Sequence, residues 1–544
     1  MSKIDVYNTT IIINDYNFGD YPTLENYFKI KVPISKSYWV YKYYGIYYDE
    51  NTRKLYLPRG IDIWLVEKII GEEANIHVNK YDKYENYDHF KIKSLPRDDD
   101  QRKALRFMLG REEYRYTATK SQLSVNLNTG KGKTYLAIST IVFSGIKSAI
   151  IMYSENLIYQ WKKEILKYTN LNQKQICIIE GSGSIHRLLA KNDNDGVIYL
   201  ITHGTLKSYG DRNGWDKVGE LFKHLKIGIK IFDEAHQNFE NILKIDYFTN
   251  VFKTYYLTAT SLRSSEYENK VYQLSFKNVP SIDLFNQDED PHTVYTAIKF
   301  NSKPTAIDKS NCSNQYGLDR NKYTNYLANN VRFYDVLIVL MNIILNRTAY
   351  GGKCLIYIGT NNAISKIYEW MHNNYPELYN NIGILSTLVE DEKRKDAINK
   401  RIILATTKSA GAGLDIKGLK LTIVLAEPFK SEILARQTLG RTRDKDTEYI
   451  ELVDTGFPQC TRYYNQKKHI FLKYALSCRE IILKPEYIYK KIEEINIIRN
   501  TPTWNQLFPI HNGLIRGISY CPGLMRGVTY EPELIRGIIY DEDV

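Results

Sequence analysis

The segment from Leu127 to Thr134, Leu-Asn-Thr-Gly-Lys-Gly-Lys-Thr, constrains the fold of this chain more than any other. It follows the residues Ser-Val-Asn-Leu at 124–127, which predict a short strand, and it precedes an apolar run at 135–143 that predicts a helix. A glycine loop between a strand and a helix directs backbone N–H groups and a helix N-terminus at one point, which suits a polyphosphate. In this pattern Lys133 reaches the β- and γ-phosphates, and the Thr134 hydroxyl holds Mg²⁺. The segment therefore predicts an α/β domain that binds ATP and Mg²⁺.

The match to this phosphate-loop pattern holds only from Thr129 onward, because Leu127 stands where the pattern has a glycine. A solvated glycine turn without a ligand is the alternative interpretation. The loop residues predicted to bind the nucleotide are Thr129, Gly130, Lys131, Gly132, Lys133 and Thr134.

A second motif with the chemistry of the same site follows the apolar run 229–232 and reads Asp233-Glu234-Ala235-His236. Carboxylates at the C-terminal end of a parallel strand lie where open α/β sheets bind their ligands. Asp233 is predicted to hold the Mg²⁺, and Glu234 is predicted to polarise the attacking water. Two such elements in this order favour a nucleotide site over a solvated turn.

Composition and charge restrict the class of protein further. The 544 residues are 43% hydrophobic and 25% charged, which is typical of two to four globular domains. A formal charge of +12 makes a polyanionic partner plausible. No apolar run approaches the roughly 20 residues that a bilayer span needs, and the first 20 residues lack the pattern of a signal peptide. We expect the protein to remain in the cytoplasm of the host cell.

The N-terminal region, residues 1–94, mixes short alternating runs with turn signals and predicts a small, strand-rich accessory domain. Its Lys42, Lys54 and Arg59 are interleaved with tyrosines, a pattern that suits stacking on bases and binding of phosphates. A half-buried sheet with a solvated edge is the alternative.

Downstream of Leu95 the pattern changes to strands alternating with helices, which predicts doubly wound sheets. Gln101 opens a helix just upstream of the phosphate loop, where its amide can both donate to and accept from an adenine edge. An ordinary helix-start glutamine is the alternative. Thr202 and Thr205 follow one predicted strand, and hydroxyls at such a strand end suit contacts to phosphate.

Read in order, these segments resemble the motifs of superfamily 2 helicases and translocases over roughly residues 95–455. The first motif corresponds to 128–134, the second to 233–236, the third to 258–260, the fifth to 405–415 and the sixth to 437–443. Gln160-Trp161 and the stretch Gly-Leu-Asp-Ile at 413–416 resemble the phage recombination helicases and the poxvirus transcript-release helicases in particular.

The resemblance implies two tandem RecA-like domains with parallel sheets that close on ATP, with single-stranded nucleic acid lying across both. It implies nucleotide contacts from Gly413, Asp415 and Gln437, and an arginine finger at Arg441. It also implies contacts to the nucleic-acid backbone, without base reading, from Thr202, Thr205, Thr406 and Thr407. The last arginine of the sixth motif comes one residue early, at Arg443, so either Arg443 substitutes for it or Arg441 acts alone. Ser154-Glu155 also replaces the usual Pro-Thr, and Arg97 stands one residue further from Gln101 than expected.

The C-terminal tail carries the internal repeat of this chain, with Gly513–Tyr520 recurring twice at a period of ten residues. Ten residues cannot bury a core, so each copy must dock on something. The copies either pack on this protein's own surface or act as a multivalent peptide for a partner protein. The resulting domain prediction is 1–94 accessory, 95–270 RecA-like domain 1, 271–330 connector, 331–475 RecA-like domain 2, 476–510 extension and 511–544 repeat tail.

The leading functional prediction is an ATP-dependent DNA helicase or translocase of a phage or virus, acting on branched or single-stranded DNA in recombination, replication or transcription. An RNA-stimulated ATPase is the alternative among enzymes. A recruitment protein with a vestigial ATPase and a partner-binding tail is the alternative from another class. A restriction-type motor subunit would also carry these motifs, but the chain shows no nuclease constellation.

Overall fold

The computed structural model describes residues 3–33, 39–77, 80–87, 90–127, 132–190, 196–258, 266–284, 292–314, 317–410, 416–429, 431–441 and 446–499. The chain divides into two compact units, residues 1–287 and 288–544. The repeat tail lies outside the described residues, as do parts of the predicted motifs.

The N-terminal part of the first unit is strand-rich, as predicted. Its described strands form a five-stranded sheet in the order β5-β6-β2-β1-β7 and a separate hairpin of β3 and β4. The elements are β1 (Ile4–Val6), β2 (Thr10–Ile13), α1 (Pro22–Phe28), β3 (Lys29–Pro33), β4 (Trp39–Tyr43), β5 (Tyr47–Asp49), β6 (Lys54–Pro58), α2 (Ile63–Ile70) and β7 (Ala74–Ile76).

The rest of the first unit is an α/β layer structure in which strands and helices alternate. Its elements are α3 (Asp99–Leu109), β8 (Gln122–Leu127), α4 (Lys133–Ser144), β9 (Ser148–Met152), α5 (Asn156–Tyr168), β10 (Ile176–Ile179), α6 (Gly181–Leu189), β11 (Ile198–Thr202), α7 (His203–Asn213), α8 (Asp216–His224), β12 (Ile229–Phe232), α9 (Phe239–Phe248), β13 (Lys253–Thr258), α10 (Glu266–Ser275) and β14 (Ser281–Leu284).

These strands form a sheet in the order β10-β11-β9-β12-β13-β8-β14, and every recorded pairing in it is parallel. The central strands β8, β12 and β13 are buried along their whole length because helices cover both faces of the sheet, although they include polar residues such as Asn126 and Lys230. The order places the ends of β8, β12 and β13 beside one another at the carboxyl edge of the sheet.

The N-terminal strands and the α/β layer share one hydrophobic core. Phe239, Leu243 and Tyr247 of α9 are buried in the same cluster as Ile11 and Leu57 of the N-terminal sheet. Helix α9 directly follows the Asp-Glu-Ala-His turn, so the accessory sheet packs on the element that leaves the predicted catalytic motif.

The second unit repeats the α/β pattern. Its elements are β15 (Thr293–Phe300), α11 (Ala306–Asn311), β16 (Ser313–Asn314), β17 (Gly317–Leu318), α12 (Arg320–Leu327), α13 (Val331–Arg347), β18 (Lys353–Ile358), α14 (Asn361–Asn374), β19 (Ile382–Leu385), α15 (Asp391–Ala397), β20 (Ile402–Ala405), α16 (Thr407–Ala410), β21 (Leu419–Ala426), α17 (Glu432–Leu439), β22 (Thr447–Asp454), α18 (Pro458–Tyr474), β23 (Ser477–Ile482) and α19 (Pro485–Arg499).

Its main sheet runs in the order β19-β20-β18-β21-β22-β15-β23, again with parallel pairings throughout. Two parallel, helix-covered sheets in tandem confirm the predicted fold class of two RecA-like domains. Within the described residues no single helix is long and apolar enough to cross a membrane; the bent pair α12 and α13, at 75°, passes that test only jointly.

Candidate nucleotide and nucleic-acid site

The phosphate loop is entered from β8 and left through α4, as the sequence predicts. Gly132 immediately precedes α4 with φ +91°, a left-handed conformation that favours glycine. A Cβ atom built on Gly132 would lie 2.3 Å from Nε2 of Gln101. The left-handed backbone conformation therefore favours glycine at this position, and a Cβ atom here would also displace the Gln101 amide. The predicted residues Thr129, Gly130 and Lys131 lie outside the described residues.

Gln101 lies at the start of α3, where the Asp98 side chain accepts a hydrogen bond from its backbone N–H at 2.9 Å. Its own Oε1 accepts from the Arg97 N–H at 2.8 Å, and its side chain is buried. The amide group thus packs against Gly132 while it also stabilises the helix start. Contact with adenine stays a prediction.

Lys133 and Glu234 form a buried ion pair. Nζ of Lys133 donates to Oε1 of Glu234 at 3.1 Å, and both side chains are less than a tenth exposed. A buried charge needs a partner of opposite sign, and each of these side chains supplies one for the other. The structure thereby brings together the two predicted motifs, although 101 residues separate the two side chains in the sequence. Thr134 lies beside them in the first turn of α4.

The Asp-Glu-Ala-His turn holds its carboxylates in a tight conformation at the end of β12. The backbone of Asp233 donates to the Ile151 carbonyl at 3.0 Å, and that of Ala235 donates to the Leu257 carbonyl at 2.8 Å. Between them Glu234 has φ +52°, an uncommon conformation for a residue with a side chain. Backbone strain of this kind persists only where the surroundings enforce it, and it concentrates at functional sites.

Asp233 is held by two hydrogen bonds and has a perturbed acidity. Nε1 of Trp161 donates to Oδ2 at 3.1 Å, and the backbone N–H of Glu234 donates to Oδ1 at 3.1 Å. Burial, and then the neighbouring Glu234 carboxylate, raise the pKa of Asp233 to about 6, against the lowering effect of Lys133. Two adjacent carboxylates in a buried site favour a cation between or beside them.

His236 links the turn to the end of β13. Its Nδ1 lies 3.3 Å from Oε2 of Glu234 and 3.0 Å from Oγ1 of Thr258. Nε2 of Gln237 lies 3.0 Å from Nε2 of His236. With the Gln237 amide donating, the neutral imidazole carries its proton on Nδ1, which faces Glu234 and Thr258. A continuous polar chain therefore joins Lys133, Glu234, His236 and Thr258. Thr260, the last residue of the predicted third motif, lies outside the described residues.

Thr202 and Thr205 occupy the turn between β11 and α7. Oγ1 of Thr202 caps the helix by accepting from the Thr205 N–H at 3.1 Å, and the two hydroxyls lie 3.0 Å apart. Both side chains are buried. Between them His203 is fully buried against the edge of the Phe232 ring, and burial lowers the pKa of His203 to about 4. The contact of Thr202 and Thr205 with a phosphate backbone stays a prediction.

In the second unit Thr406 and Thr407 follow β20, as predicted. Oγ1 of Thr406 lies 2.9 Å from Oγ of Ser409. Thr407 donates its hydroxyl to Oε1 of Glu427 and its backbone N–H to Oε2 at 3.1 Å. A buried carboxylate thus fixes the turn that the sequence assigns to nucleic-acid binding.

Arg441 lies just after α17 and is 5% exposed. Burial raises the pKa of the Tyr357 hydroxyl to about 12, and the Arg441 guanidinium, which hydrogen-bonds to it, opposes that rise. Gln437 lies in α17, but its side chain is not described. Gly413, Asp415 and Arg443 lie outside the described residues, so their predicted roles stay predictions.

Sequence reasoning assigned no role to two residues that the structure brings to these sites. Glu427 directly follows β21, and a carboxylate at the end of a parallel strand is the same signal that pointed to Asp233. Trp161 was part of the resemblance, but nothing in the local sequence indicates that its indole reaches Asp233, because 72 residues separate the two.

Comparison with known proteins gives a consistent family signal. The sequence model of the family described as "Type III restriction enzyme, res subunit" matches residues 94–263, which contain the phosphate loop and the Asp-Glu-Ala-His turn. The transcript termination protein A18 of Yaba monkey tumor virus is 22% identical over 338 residues, covering 59% of this chain and 64% of the relative. The chain thus spans less than two thirds of that relative's length.

Two further proteins are similar over different extents. The ATP-dependent RNA helicase MAK5 of Eremothecium gossypii is 24% identical over 240 residues, covering 41% of this chain and 30% of the relative. The crystal structure of T4 UvsW matches 89% of this chain and all of its own, with 13% identity and a TM-score of 0.33. The family match and the curated relatives confirm the predicted resemblance to superfamily 2 helicases and to the poxvirus group within them.

Proposed function

We propose that this protein is an ATP-dependent helicase or translocase of a phage or virus that acts on single-stranded or branched DNA. The observation that carries the proposal is the buried polar chain from Lys133 through Glu234 and His236 to Thr258. A vestigial ATPase would not be expected to retain this arrangement of a buried lysine, a buried glutamate in a strained turn and a histidine beside the glutamate.

The side chains present fit Mg²⁺ and a polyphosphate. Carboxylate and hydroxyl oxygens are preferred Mg²⁺ ligands, and Asp233 and Thr134 supply one of each. The raised pKa of Asp233 indicates a carboxylate whose charge lacks full compensation from the protein alone. When bound, Mg²⁺ would neutralise charge on the phosphate oxygens.

Hydrolysis then depends on breaking the ion pair between Lys133 and Glu234. Lys133 exchanges the Glu234 carboxylate for the phosphates, and this exchange leaves Glu234 able to orient the attacking water and to accept its proton. His236 transmits the position of Glu234 to Thr258 at the end of β13. In this proposal Arg441 stabilises the developing phosphate charge, a role worth about 10³-fold or more in comparable enzymes.

Nucleic-acid contacts come from the two threonine turns. Thr202 and Thr205 in the first unit, with Thr406 and Thr407 in the second, bind the phosphate backbone without reading bases. Cycles of ATP binding and hydrolysis would move the protein along the strand.

The proposal is tested by steady-state ATPase rates with no nucleic acid, single-stranded DNA, forked or four-way DNA, and RNA, each for the wild type and for Glu234→Gln. We expect strong stimulation by DNA that Glu234→Gln abolishes. A rate that is the same in all four conditions would overturn the proposal.

An RNA-stimulated ATPase is the second candidate, and the similarity to an ATP-dependent RNA helicase favours it. The polar chain would serve either polymer, because phosphate-backbone contacts do not by themselves distinguish the two. Stimulation by RNA that exceeds stimulation by every DNA would favour this candidate.

A further inference from the structure

The hairpin of β3 and β4 stands apart from the five-stranded N-terminal sheet and exposes an unusual set of side chains. Its register pairs Lys29 with Tyr43 and Lys31 with Tyr41. Alternate residues of a strand share a face, and directly opposed residues share it too. Lys29, Lys31, Trp39, Tyr41 and Tyr43 therefore lie on one face of the hairpin, which we call the aromatic–lysine face.

The opposite side of the hairpin is anchored in the protein. Ile30 is buried in the N-terminal core and Val32 packs against that core. The hairpin returns to the body at Tyr44, whose N–H donates to the Phe28 carbonyl at 2.9 Å. Next to it, the Tyr247 hydroxyl of α9 donates to the Gly45 carbonyl at 2.7 Å. The aromatic–lysine face is thus carried on a strand pair fixed at its base.

The rings on this face are exposed to an extent that core packing does not explain. Trp39 is 42% exposed, Tyr41 59% and Tyr43 40%. Singly exposed aromatic residues are common, but several exposed rings side by side on one face are typical of an interaction site. The Tyr43 hydroxyl is engaged, because it donates to Oε2 of Glu25 at 3.4 Å, which leaves Trp39 and Tyr41 as the two available rings.

Both available rings already carry a cation. Nζ of Lys31 lies 4.6 Å from the Trp39 ring centroid, and Nζ of Lys29 lies 4.9 Å from the Tyr41 ring centroid. The sequence from 26 to 48 contains four lysines and nine aromatic residues but no acidic residue. Lys29 and Lys31 therefore place positive charge beside the flat Trp39 and Tyr41 rings, while the Glu25 carboxylate lies at the Tyr43 end of the face.

We propose that the aromatic–lysine face binds single-stranded nucleic acid by stacking bases on Trp39 and Tyr41. Non-specific single-strand binding combines aromatic platforms with cations along the backbone, and this face supplies both. Alternate residues of an antiparallel strand lie about 6.8 Å apart, which is twice the ~3.4 Å spacing of stacked bases. A base stacked on either ring brings its phosphate within reach of the lysine that now covers that ring.

The inference rests on the proposed nucleic-acid-dependent function, and it adds a site outside the two α/β sheets. Duplex nucleic acid buries its base faces in its own stack, so the face favours an unpaired strand. The site lies on the part of the first unit that shares a core with α9.

The test is binding of fluorescein-labelled oligo-dT and oligo-rU to the full chain, measured by anisotropy over a range of salt concentrations. Trp39→Ala and Tyr41→Ala should each weaken binding on the order of 10-fold, because stacking on one base is worth about 1–3 kcal/mol. Lys29→Ala combined with Lys31→Ala should lower the slope of log affinity against log salt by about 1.4.

The matched control is Trp64→Ala. Trp64 is 62% exposed on α2 with Nζ of Lys68 5.0 Å from its ring centroid, so it is a second exposed Trp–Lys pair in the same region but off the hairpin. It should leave binding unchanged. Oligonucleotide-induced quenching of tryptophan fluorescence should disappear in Trp39→Phe and persist in Trp64→Phe, and Trp39→Phe should retain most of the affinity.

Three results would overturn the inference. Wild-type affinity in Trp39→Ala and Tyr41→Ala would remove the site while leaving the proposed motor intact. Equal affinity for a blunt duplex would contradict the preference for an unpaired strand. Absence of any binding by the wild type would overturn this site and the proposed function together.

Discussion

Trp161 shows how a residue remote in sequence can orient a carboxylate that is predicted to bind Mg²⁺. Its indole N–H fixes one oxygen of Asp233 and leaves the other to the backbone of Glu234. Groups that orient a metal-binding side chain typically change metal affinity 10- to 100-fold when they are removed. Trp161 is a positioning residue in this account.

Trp161→Phe should therefore raise the Mg²⁺ concentration needed for half-maximal ATPase by about 10-fold, because Asp233 loses a donor that holds its orientation. The matched control is Trp215→Phe, since the Trp215 indole also donates to a carboxylate, Oδ1 of Asp211, at 3.0 Å. The measurement is a Mg²⁺ titration of the ATPase rate for both variants. An unchanged Mg²⁺ requirement in Trp161→Phe would contradict the role.

His203 provides a pH-dependent contribution to stability. It is buried without charge, with a pKa of about 4 against 6.5 for a free imidazole. Between these values the unfolded chain binds a proton that the folded chain does not, so stability falls as pH falls from 6.5 toward 4 and is complete above 6.5. The full contribution is about 3 kcal/mol.

His203→Gln should reduce the loss of stability between pH 6.5 and pH 4, because the substituted amide does not titrate. Urea unfolding at pH 7.5 and pH 4.5 should show a smaller loss of unfolding free energy in the variant than in the wild type. Equal losses in the two proteins would show that protonation of His203 does not contribute.

At the residue scale the sequence indicates chemistry better than it indicates contacts. Lys133, Asp233 and Glu234 follow from motif and strand position, and the structure brings them together. The partners of Arg441 and Thr407 do not follow, because Tyr357 and Glu427 are brought to them only by the packing of separate strands in the sheet.

At the scale of elements, β12 and α9 are tied by a buried ionic network. Nζ of Lys230 lies 2.6 Å from Oδ1 of Asp246, and both side chains are essentially inaccessible. The Tyr256 hydroxyl donates to Oδ2 of Asp246 at 2.5 Å and accepts from Nε2 of Gln122 at 2.7 Å. The network thus joins β8, β12, β13 and α9, the elements that carry the phosphate loop and the Asp-Glu-Ala-His turn.

Lys230→Met should destabilise the first unit by about 3–5 kcal/mol, because it leaves the Asp246 carboxylate buried without its cation. Lys230→Met combined with Asp246→Leu should recover much of that loss, since the pair of charges is removed together. Urea unfolding measures both variants. A double variant no more stable than the single one would contradict this account of the network.

Strand positions are the part of the fold that the sequence predicts well. The run 229–232 is observed as β12 with the same bounds, and 353–358 is observed as β18. Short runs that are mostly apolar, like these two, leave little freedom in an α/β layer. By contrast, the sequence does not predict that Lys230, in the middle of the run 229–232, pairs with Asp246. That ion pair depends on how α9 packs against the sheet.

The N-terminal elements show the same limit. The interleaving of lysines and tyrosines predicted a stacking face that included Arg59, yet burial lowers the pKa of Arg59 and its Nε is buried. The exposed aromatic–lysine face belongs to β3 and β4 instead. Which side of each strand faces the core depends on pairing register, which composition does not determine.

At the scale of the whole molecule, the chain consists of two units that each carry a parallel α/β sheet. Sequence order alone predicts this tandem, because each sheet is built from consecutive strand–helix repeats. The packing of the N-terminal sheet against the rest of the first unit could not be predicted from sequence order. It shares a core with α9 and α10 through side chains such as Leu243 and Val271, contacts that connect residues about 200 positions apart.

In the proposed function, ATP hydrolysis at Lys133 and Glu234 drives movement along a strand. This movement is measured by ATP-dependent release of streptavidin from the biotinylated end of a single-stranded oligonucleotide, compared between the wild type, Lys133→Ala and Glu234→Gln. We expect release by the wild type with ATP and none by either variant. Stimulated ATP turnover without release, or release that persists in both variants, would show that hydrolysis at this site does not drive movement.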